Sequence, residues 1–447
     1  MSSMELHAPG MPANPDRDSI ARSLRRRSHA GFALLAVVVA YLAYAWFAFD
    51  VPGLIDSARP ERAALLATDA VAHKVHVTRM LRRGTTVIAV EGERTATYTT
   101  PPDWVTVDGD VLTVDLDDGY VAKVLPSSVV FVVPDYGTIR IAVQDGRVIT
   151  DLPPGVPPDW LRATDAKFDA RPDLRRRVQV SRAKIEVHRY FLGWENFFFP
   201  FNSPLQAYSF GELLDLAFDE PRLQPETANW RLIFRTFWEN PDWQHGNVFV
   251  ALLETLLMAV LGTVTAAFVA LPLAFLAARN FAPSGTLRFL VRRLFDFLRG
   301  IDMLIWSLIF IRAFGLGPLT GALAIAFTDT GTLGKLFSEA LENTDRKQVE
   351  GVNATGASRL QTYRFGVIPQ ILPIFISQGF YYLESNTRSA TVNGALGAGG
   401  IGLMLVETIR TSRDWENTFY IILLTILLVI AMDALSTRLR RRLIGDR

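Results

Sequence analysis

No cysteine occurs anywhere in the 447 residues. Disulfides, thiolate zinc sites and cysteine nucleophiles are therefore excluded, while the redox compartment stays undetermined. The 6 histidines are scattered, with no HExxH and no paired-ligand spacing, so no catalytic metal is expected. Also missing is the phosphate-cradling G-x-x-x-x-G-K-[ST] loop. Gly331-Thr332-Leu333-Gly334-Lys335 has neither its spacing nor its hydroxyl, which excludes nucleotide hydrolysis by that route. Net charge is equally scarce: Lys plus Arg and Asp plus Glu balance to a formal +1, and nothing global points to nucleic acid.

What the chain has is apolar residues, 49% of the total, gathered into runs. Ala30 to Phe49 carries no charge and is long enough to cross a hydrocarbon core of about 30 Å at about 1.5 Å per residue. Arg25-Arg26-Arg27 before it and Ala43-Tyr44-Ala45 within it allow a signal-peptide reading, but the apolar stretch is long for one. Further runs are Val248 to Ala278, Leu294 to Phe314, Gly317 to Leu333, about Ile371 to Thr391, and Asn417 to Ser436, giving six spans. Cytoplasmic flanks collect Lys and Arg. Arg22 and Arg25 to Arg27, then Arg279, Arg288, Arg292 and Arg293, then Arg346, Lys347, Arg359 and Arg364, and finally Arg438 and Arg440 to Arg442 all fall on one side if six spans alternate. Only Arg410 and Arg413, beside Asp414 and Glu416, fall on the other. Both termini are expected inside.

The expected fold is an α-helical polytopic membrane protein with a β-rich extracytoplasmic domain inserted between the first and second spans. Residues 1–29 form a cytoplasmic tail, 30–49 the first span, 50–190 the insert, 191–246 a partly interfacial connector, 247–437 the transmembrane core and 438–447 a basic tail. In the insert, Thr85 to Val90, Val111 to Val114, Val129 to Val133 and Ile139 to Ile141 are β-branched runs. Asp108-Gly109 and Asp145-Gly146 are hairpin-type turns, so a small sandwich or barrel is expected. Pro-rich Leu152 to Pro158 reads as a stiff boundary closing this part. Trp194, Phe197, Phe198, Phe199 and Phe201 read as a membrane-surface anchor or an aromatic core, and Phe210 to Phe218 as a short interfacial helix.

Between the fourth and fifth spans, at about 338–370, lies Glu350-Gly351-Val352-Asn353-Ala354-Thr355-Gly356, running on to Ile368-Pro369 and Pro373. A short helix stopped by Gly356 and a second one broken by prolines would make a rigid knob at the membrane surface. The pattern resembles the EAA loop of ABC importer permeases: Glu350, Gly356, Ile368 and Pro369 take its places, while Gly351 and Val352 replace its two alanines. Gly315-Leu316-Gly317-Pro318, Gly334 to Glu342, Glu384 to Val392 and Gly397 to Gly402 resemble the phosphonate permease family, PhnE, over roughly Phe210 to the C-terminus and the first span. Residues 60–190 have no counterpart in that resemblance.

The resemblance implies a non-enzymatic transport subunit of the bacterial cytoplasmic (inner) membrane without a cofactor of its own, ATP and Mg belonging to a partner ATPase. It also implies an ATPase dimer, an extracytoplasmic substrate-binding protein and a second permease copy as partners, beside membrane lipid. Phosphonate-type oxyanions are the expected cargo; phosphite or another small solute, or a membrane-anchored sensor, are alternatives. For passage itself, Arg388 and Glu384 share a helix face four residues apart. Intramembrane charge normally faces a cavity, so Arg388 is a candidate oxyanion contact helped by Ser385 or Asn386, or a partner of Glu384 alone. Arg299, Asp302 and Arg312 are lesser candidates, equally at home at helix ends. Gly397, Gly399, Gly400 and Gly402 spell GxGxxG without a preceding strand; a gate or tight helix packing is expected there rather than a dinucleotide site.

Overall fold

The computed structural model describes residues 15–58, 60–92, 96–218, 221–411 and 415–444. Arg413 and Asp414, the tail before residue 15 and the last three residues lie outside the described residues. The chain divides into two compact units between Leu65 and Leu66.

The first unit holds α1 (Pro15–Ala48), α2 (Val51–Ser57) and the start of α3 (Pro60–Asp69). Within α1 the window Gly31–Ala48 has a mean hydropathy of 2.0 and none of it is buried. Phe32, Tyr44 and Phe47 are 69%, 70% and 75% exposed, an apolar surface of the kind that lipid covers. Asp50, in the left-handed region, stops α1 and caps α2 by accepting from the Gly53 amide at 3.2 Å.

The second unit opens with twelve antiparallel strands: β1 (Ala72–Met80), β2 (Thr85–Val90), β3 (Val105–Asp108), β4 (Val111–Asp115), β5 (Val121–Val124), β6 (Ser128–Val133), β7 (Gly137–Gln144), β8 (Arg147–Asp151), β9 (Leu161–Ala163), β10 (Lys167–Ala170), β11 (Arg176–Ser181) and β12 (Lys184–Leu192). They form two six-stranded sheets, β2-β1-β12-β11-β10-β9 and the meander β3 to β8. Alternation decides which side faces in. Val129, Phe131 and Val133 of β6 are buried opposite Ile141, Ile139 and Gly137 of β7, and they join Val178, Val180, Ile185 and Val187 of the other sheet in one core. The sandwich is as expected. The Pro-rich boundary is not: after 152–158 the chain returns as β9 to β12, and β12 pairs with β1 across the whole strand. Leu152 to Pro158 is thus a crossover inside the domain, which runs on to Leu192. Buried Arg176 ties the sheets together. Its Nε donates to the Leu116 carbonyl at 2.5 Å, its guanidinium pairs with Asp118 and Asp173, and it lies 4.2 Å from the Tyr120 ring centre.

A connector with α4 (Phe210–Phe218) and α5 (Asn229–Trp238) leads into the helical core: α6 (His245–Ala277), α7 (Gly285–Gly300), α8 (Met303–Phe314), α9 (Pro318–Glu342), α10 (Arg346–Ala354), α11 (Arg359–Thr362), α12 (Ile368–Asn393), α13 (Gly400–Thr411) and α14 (Trp415–Ile444). Small residues let these helices approach closely. A Cβ on Gly262 of α6 would stand 2.6 Å from Ile325 of α9, and one on Gly334 of α9 only 2.3 Å from the Phe295 ring of α7. Among the described residues α1, α6 and α14 are long and apolar enough to span a membrane, and a fourth span results if residues 359–398 and 400–411, bent by 59°, count as one. The expected third span, Leu294 to Phe314, is corrected to two helices. They are split at Ile301 and Asp302, where the Asp302 carboxylate accepts from the Leu304 amide at 2.9 Å and starts α8. Asp302 and Arg312 thus sit at helix ends, and Arg299 faces Asp296 at 3.7 Å.

Candidate functional site

Three groups of residues converge on α12. At its start, the Asp345 carboxylate caps α10 by accepting from the Lys347 amide at 2.9 Å. The helix carries Glu350 and Gly351 on its exposed side and ends at Thr355 and Gly356, the latter at φ +80°, where a side chain would be strained. Ser358 and Gln361 then form a capping box that starts α11, and Thr362 donates to the Asn353 side chain at 2.5 Å, fastening α11 to α10. Around the turn lies a cleft of about 870 Å³ lined by Gly351, Val352, Gly356, Gln361 and Phe365 among others, Phe365 being 63% exposed.

The expectation that prolines break the second helix is corrected. Backbone runs helically from Arg359 through a π turn at Tyr363–Val367 into α12, with Ile368 and Pro369 in its first turn and Pro373 inside it. Pro369 follows directly on the π turn and Pro373 lies inside α12, so the helix carries both prolines without a break. Helix α9 also continues to Glu342, so the loop begins only at Asn343.

Midway along α12, Asn386 is buried. Its Nδ2 donates to Asp329 Oδ2 of α9 at 2.5 Å and lies 2.8 Å from Thr263 Oγ1 of α6. The suggestion that Asn386 assists Arg388 is therefore corrected: the two point to different sides of α12, 200° apart at ideal helical geometry by roughly 100° per residue. Arg388 is 57% exposed at its side chain and pairs with Glu384 at 3.5 Å, while Ser385 is half-buried. Asp329 escaped the sequence reading, although an acid inside the apolar run Gly317 to Leu333 was a visible signal.

Past α12 the chain makes a π turn at Gly394–Ala398 and breaks. Gly397, Gly399 and Gly400 take φ of +115°, +88° and +68°, and a Cβ on Gly402 would lie 1.9 Å from the Thr391 carbonyl. The run is a non-helical turn at Gly397 to Gly400 and a close contact at Gly402. The turn is held from across the bundle: the Gly400 amide donates to Glu254 Oε2 at 3.0 Å and the Ile401 amide to Thr255 Oγ1 at 2.9 Å. Glu254 and Thr255 of α6 thus satisfy the first free amides of α13.

The aromatic connector divides. Trp194 and Phe197 pack with Trp243, His245 and Tyr420 at the ends of α6 and α14, and Phe199 is buried with Leu205 and Leu232. Phe198 remains 62% exposed, and the expected helix Phe210 to Phe218 is α4.

A bundle of long apolar helices defines a membrane protein, and residues 270–445 match the family described as binding-protein-dependent transport system inner membrane component. HtxC of Stutzerimonas stutzeri is 38% identical over 187 residues, 42% of this chain and 66% of that one. The phosphate-import permease protein PhnE of Mycolicibacterium smegmatis is 38% identical over 191 residues, 43% of this chain and 36% of that one. The phosphite transport system permease protein PtxC of Stutzerimonas stutzeri is 38% identical over 190 residues, 42% of this chain and 69% of that one. The chain belongs to this family of ABC transport permeases and is a multi-pass protein of the cytoplasmic (inner) membrane. The match spans 66% and 36% of the first two relatives.

Proposed function

We propose that this chain is the permease subunit of a binding-protein-dependent ABC importer for small phosphorus oxyanions of the phosphonate and phosphite class. The observation that carries the reading is the loop 343–362. It is a doubly capped, fastened knob with an exposed cleft, continuous in backbone with the helix that bears Asn386 and Arg388. A knob so joined transmits force from a separate ATPase seated on it, with Glu350, Gly351, Val352 and Gly356 at the contact and Ile368 and Pro369 carrying the displacement into α12. The core forms the pathway with a second copy of this chain, the Arg388 guanidinium touching the passing oxyanion through its planar fork of donors. Gly397, Gly399, Gly400 and Gly402 form the gate, held by Glu254. ATP and Mg are bound by the ATPase; an extracytoplasmic binding protein delivers the cargo, and the β sandwich lies on that side with both termini inside.

The cargo class is supported by the phosphite transport permeases that the chain resembles together with the exposed Arg388 guanidinium. The experiment is uptake of radiolabelled phosphite and methylphosphonate into vesicles carrying the chain with its ATPase and binding protein, beside co-purification in mild detergent. Recovery of a Walker-motif ATPase that Glu350→Arg abolishes is the expected result. Failure to recover any ATPase, with uptake unaffected by Glu350→Arg, overturns the reading.

A further inference from the structure

Helices α4 and α5 and the loop before them enclose a cavity of about 660 Å³ that the transport reading does not use. Its walls include Phe198, Phe210, Leu213, Trp230, Phe234 and Phe237, and its volume lies within the roughly 300–1,000 Å³ of pockets that bury a ligand. On α5, Trp230, Ile233, Phe234 and Phe237 follow the i, i+3, i+4, i+7 pattern of a single apolar face. That face is not sealed by protein: Phe210 is 77% exposed, Phe234 57% and Trp230 53%. Arg231, exposed and without an ion pair among the described residues, lies over the ring of the wall residue Trp230 at 5.2 Å, whereas Arg235 turns to the far side of α5.

The place of the cavity says what covers it. Phe237 stacks on His245 at 4.1 Å between ring centres and Trp238 packs edge-on against Phe249 at 5.4 Å. His245 and Phe249 are the first turns of α6, whose 33 residues are one of the membrane spans. The cavity thus lies beside the first turns of a membrane span, near the level where hydrocarbon is expected to give way to headgroups. Aromatic side chains concentrate at that depth, and cations there meet phosphates.

We propose that this cavity is a phospholipid site. One acyl chain occupies the aromatic pocket, and the phosphodiester lies against Arg231 beside Trp230. The polar end, where Gln206 donates to the Asn196 side chain at 2.5 Å, faces the glycerol. The lipid then wedges the connector against the start of α6 and transmits membrane composition to the sandwich above it. The inference needs only that α6 spans the membrane and is independent of the cargo.

The test uses the full-length chain, purified in mild detergent with added phosphatidylglycerol or phosphatidylcholine, and native mass spectrometry of retained lipid. Wild type should keep one phosphatidylglycerol per chain. Ala217→Trp, which fills the cavity from α4, should lower retention by roughly tenfold, equivalent to about 1.4 kcal/mol. Phe234→Ser, at an exposed position, should weaken it without endangering the fold, as checked by unchanged thermal unfolding. Arg231→Gln should remove the preference for phosphatidylglycerol over phosphatidylcholine, a factor of about five, and leave chain binding intact. Retention unchanged in both Ala217→Trp and Phe234→Ser overturns the proposal. So does a wild-type chain that keeps no lipid, which would leave the pocket to a protein segment or a second copy. Because lipid is weighed and not transport, a failed importer assignment would not alter the result.

Discussion

Asn386 donates to Asp329 at 2.5 Å in the interior of the bundle, and the same amide reaches Thr263, so one side chain couples α6, α9 and α12. Helices surrounded by lipid gain no hydrophobic driving force from meeting, and a buried polar network is then a specific tie among them. Replacing Asn386 by Leu leaves a carboxyl group buried without its donor, a loss of about 1–3 kcal/mol. Thermal unfolding in detergent should register it. Adding Asp329→Leu should recover part of the stability, and a double-mutant cycle with no coupling between the two positions would show that the contact carries no weight.

Glu254 is expected to hold the glycine turn. Its carboxylate and the Thr255 hydroxyl take the Gly400 and Ile401 amides, and losing such a cap costs about 1 kcal/mol. Hydrogen exchange at residues 400–404 should accelerate by roughly fivefold in Glu254→Ala, with Glu254→Gln intermediate because its amide oxygen still accepts. Equal exchange in all three proteins would mean the turn is held by its packing alone.

Gly356→Val tests the knob directly. At φ +80° a β-branched residue is forced into the left-handed region at about 1–2 kcal/mol, and α10 and α11 lose their relative angle. The bundle itself should melt within a degree or two of wild type, because a Cβ at this position would meet nothing within 4 Å and the strain is local. ATPase recovery in a pulldown should fall sharply. A variant that recovers ATPase as well as wild type would detach the turn from coupling.

How much of this was visible in the chain depends on the range of the forces involved. Asp108-Gly109 and Asp145-Gly146 turn because of local backbone preferences, and both do: Gly109, Asp145 and Gly146 take positive φ. Helix α4 declares itself locally too, with Glu212 taking the Ser209 amide at 2.7 Å. Leu152 to Pro158 misled because prolines mark a stiff stretch but not whether the chain comes back; the alternation of Val178, Val180, Ile185 and Val187 was the overlooked sign. The Glu254 to Gly400 bond joins residues 146 apart, and no local pattern encodes it. Asn386 was assigned to Arg388 by proximity along the chain, whereas helical geometry turns it toward Asp329.

Arg388→Gln separates a role in passage from a role in stability. The Glu384 pair is 3.5 Å long with the guanidinium 57% exposed, and i, i+4 ion pairs of this kind stabilise a helix by only about 0.2–0.5 kcal/mol. Thermal unfolding of the variant should match wild type, while uptake of phosphite should drop by tenfold or so if one charge-assisted contact of about 1.5 kcal/mol is lost. Arg388→Lys should recover little, because an ammonium lacks the planar fork. Wild-type uptake by Arg388→Gln would reduce the pair to a surface feature of α12.

The sandwich should lose stability in acid in two steps, because of charged and titratable groups on the outer face of the sheet containing β1 and β12. His76 stands directly opposite His188 in the strand register, with ring centres 6.2 Å apart, and Glu91 reaches His188 at 3.5 Å. Lys74, Lys184 and Glu186 complete the group. Burial first, then the neighbouring His188, lowers the His76 pKa from 6.5. Burial alone would raise Glu91, but its bond to His188 and the charge of Lys74 outweigh it and bring Glu91 from 4.5 down to about 2. In both cases the unfolded chain binds the proton more readily, so stability rises with pH. The contribution of His76 is complete above its unfolded value of 6.5 and declines as the pH falls below it; that of Glu91 is complete above 4.5 and is lost on the way to about 2. Thermal unfolding of the intact protein followed by tryptophan emission should therefore decline first below about pH 6.5 and again below about pH 4.5. His76→Gln should flatten the first decline and leave the second. A first decline that survives His76→Gln would place its origin in another group, and a profile flat down to pH 4.5 would mean that His76 is protonated as easily in the folded domain as in the unfolded chain.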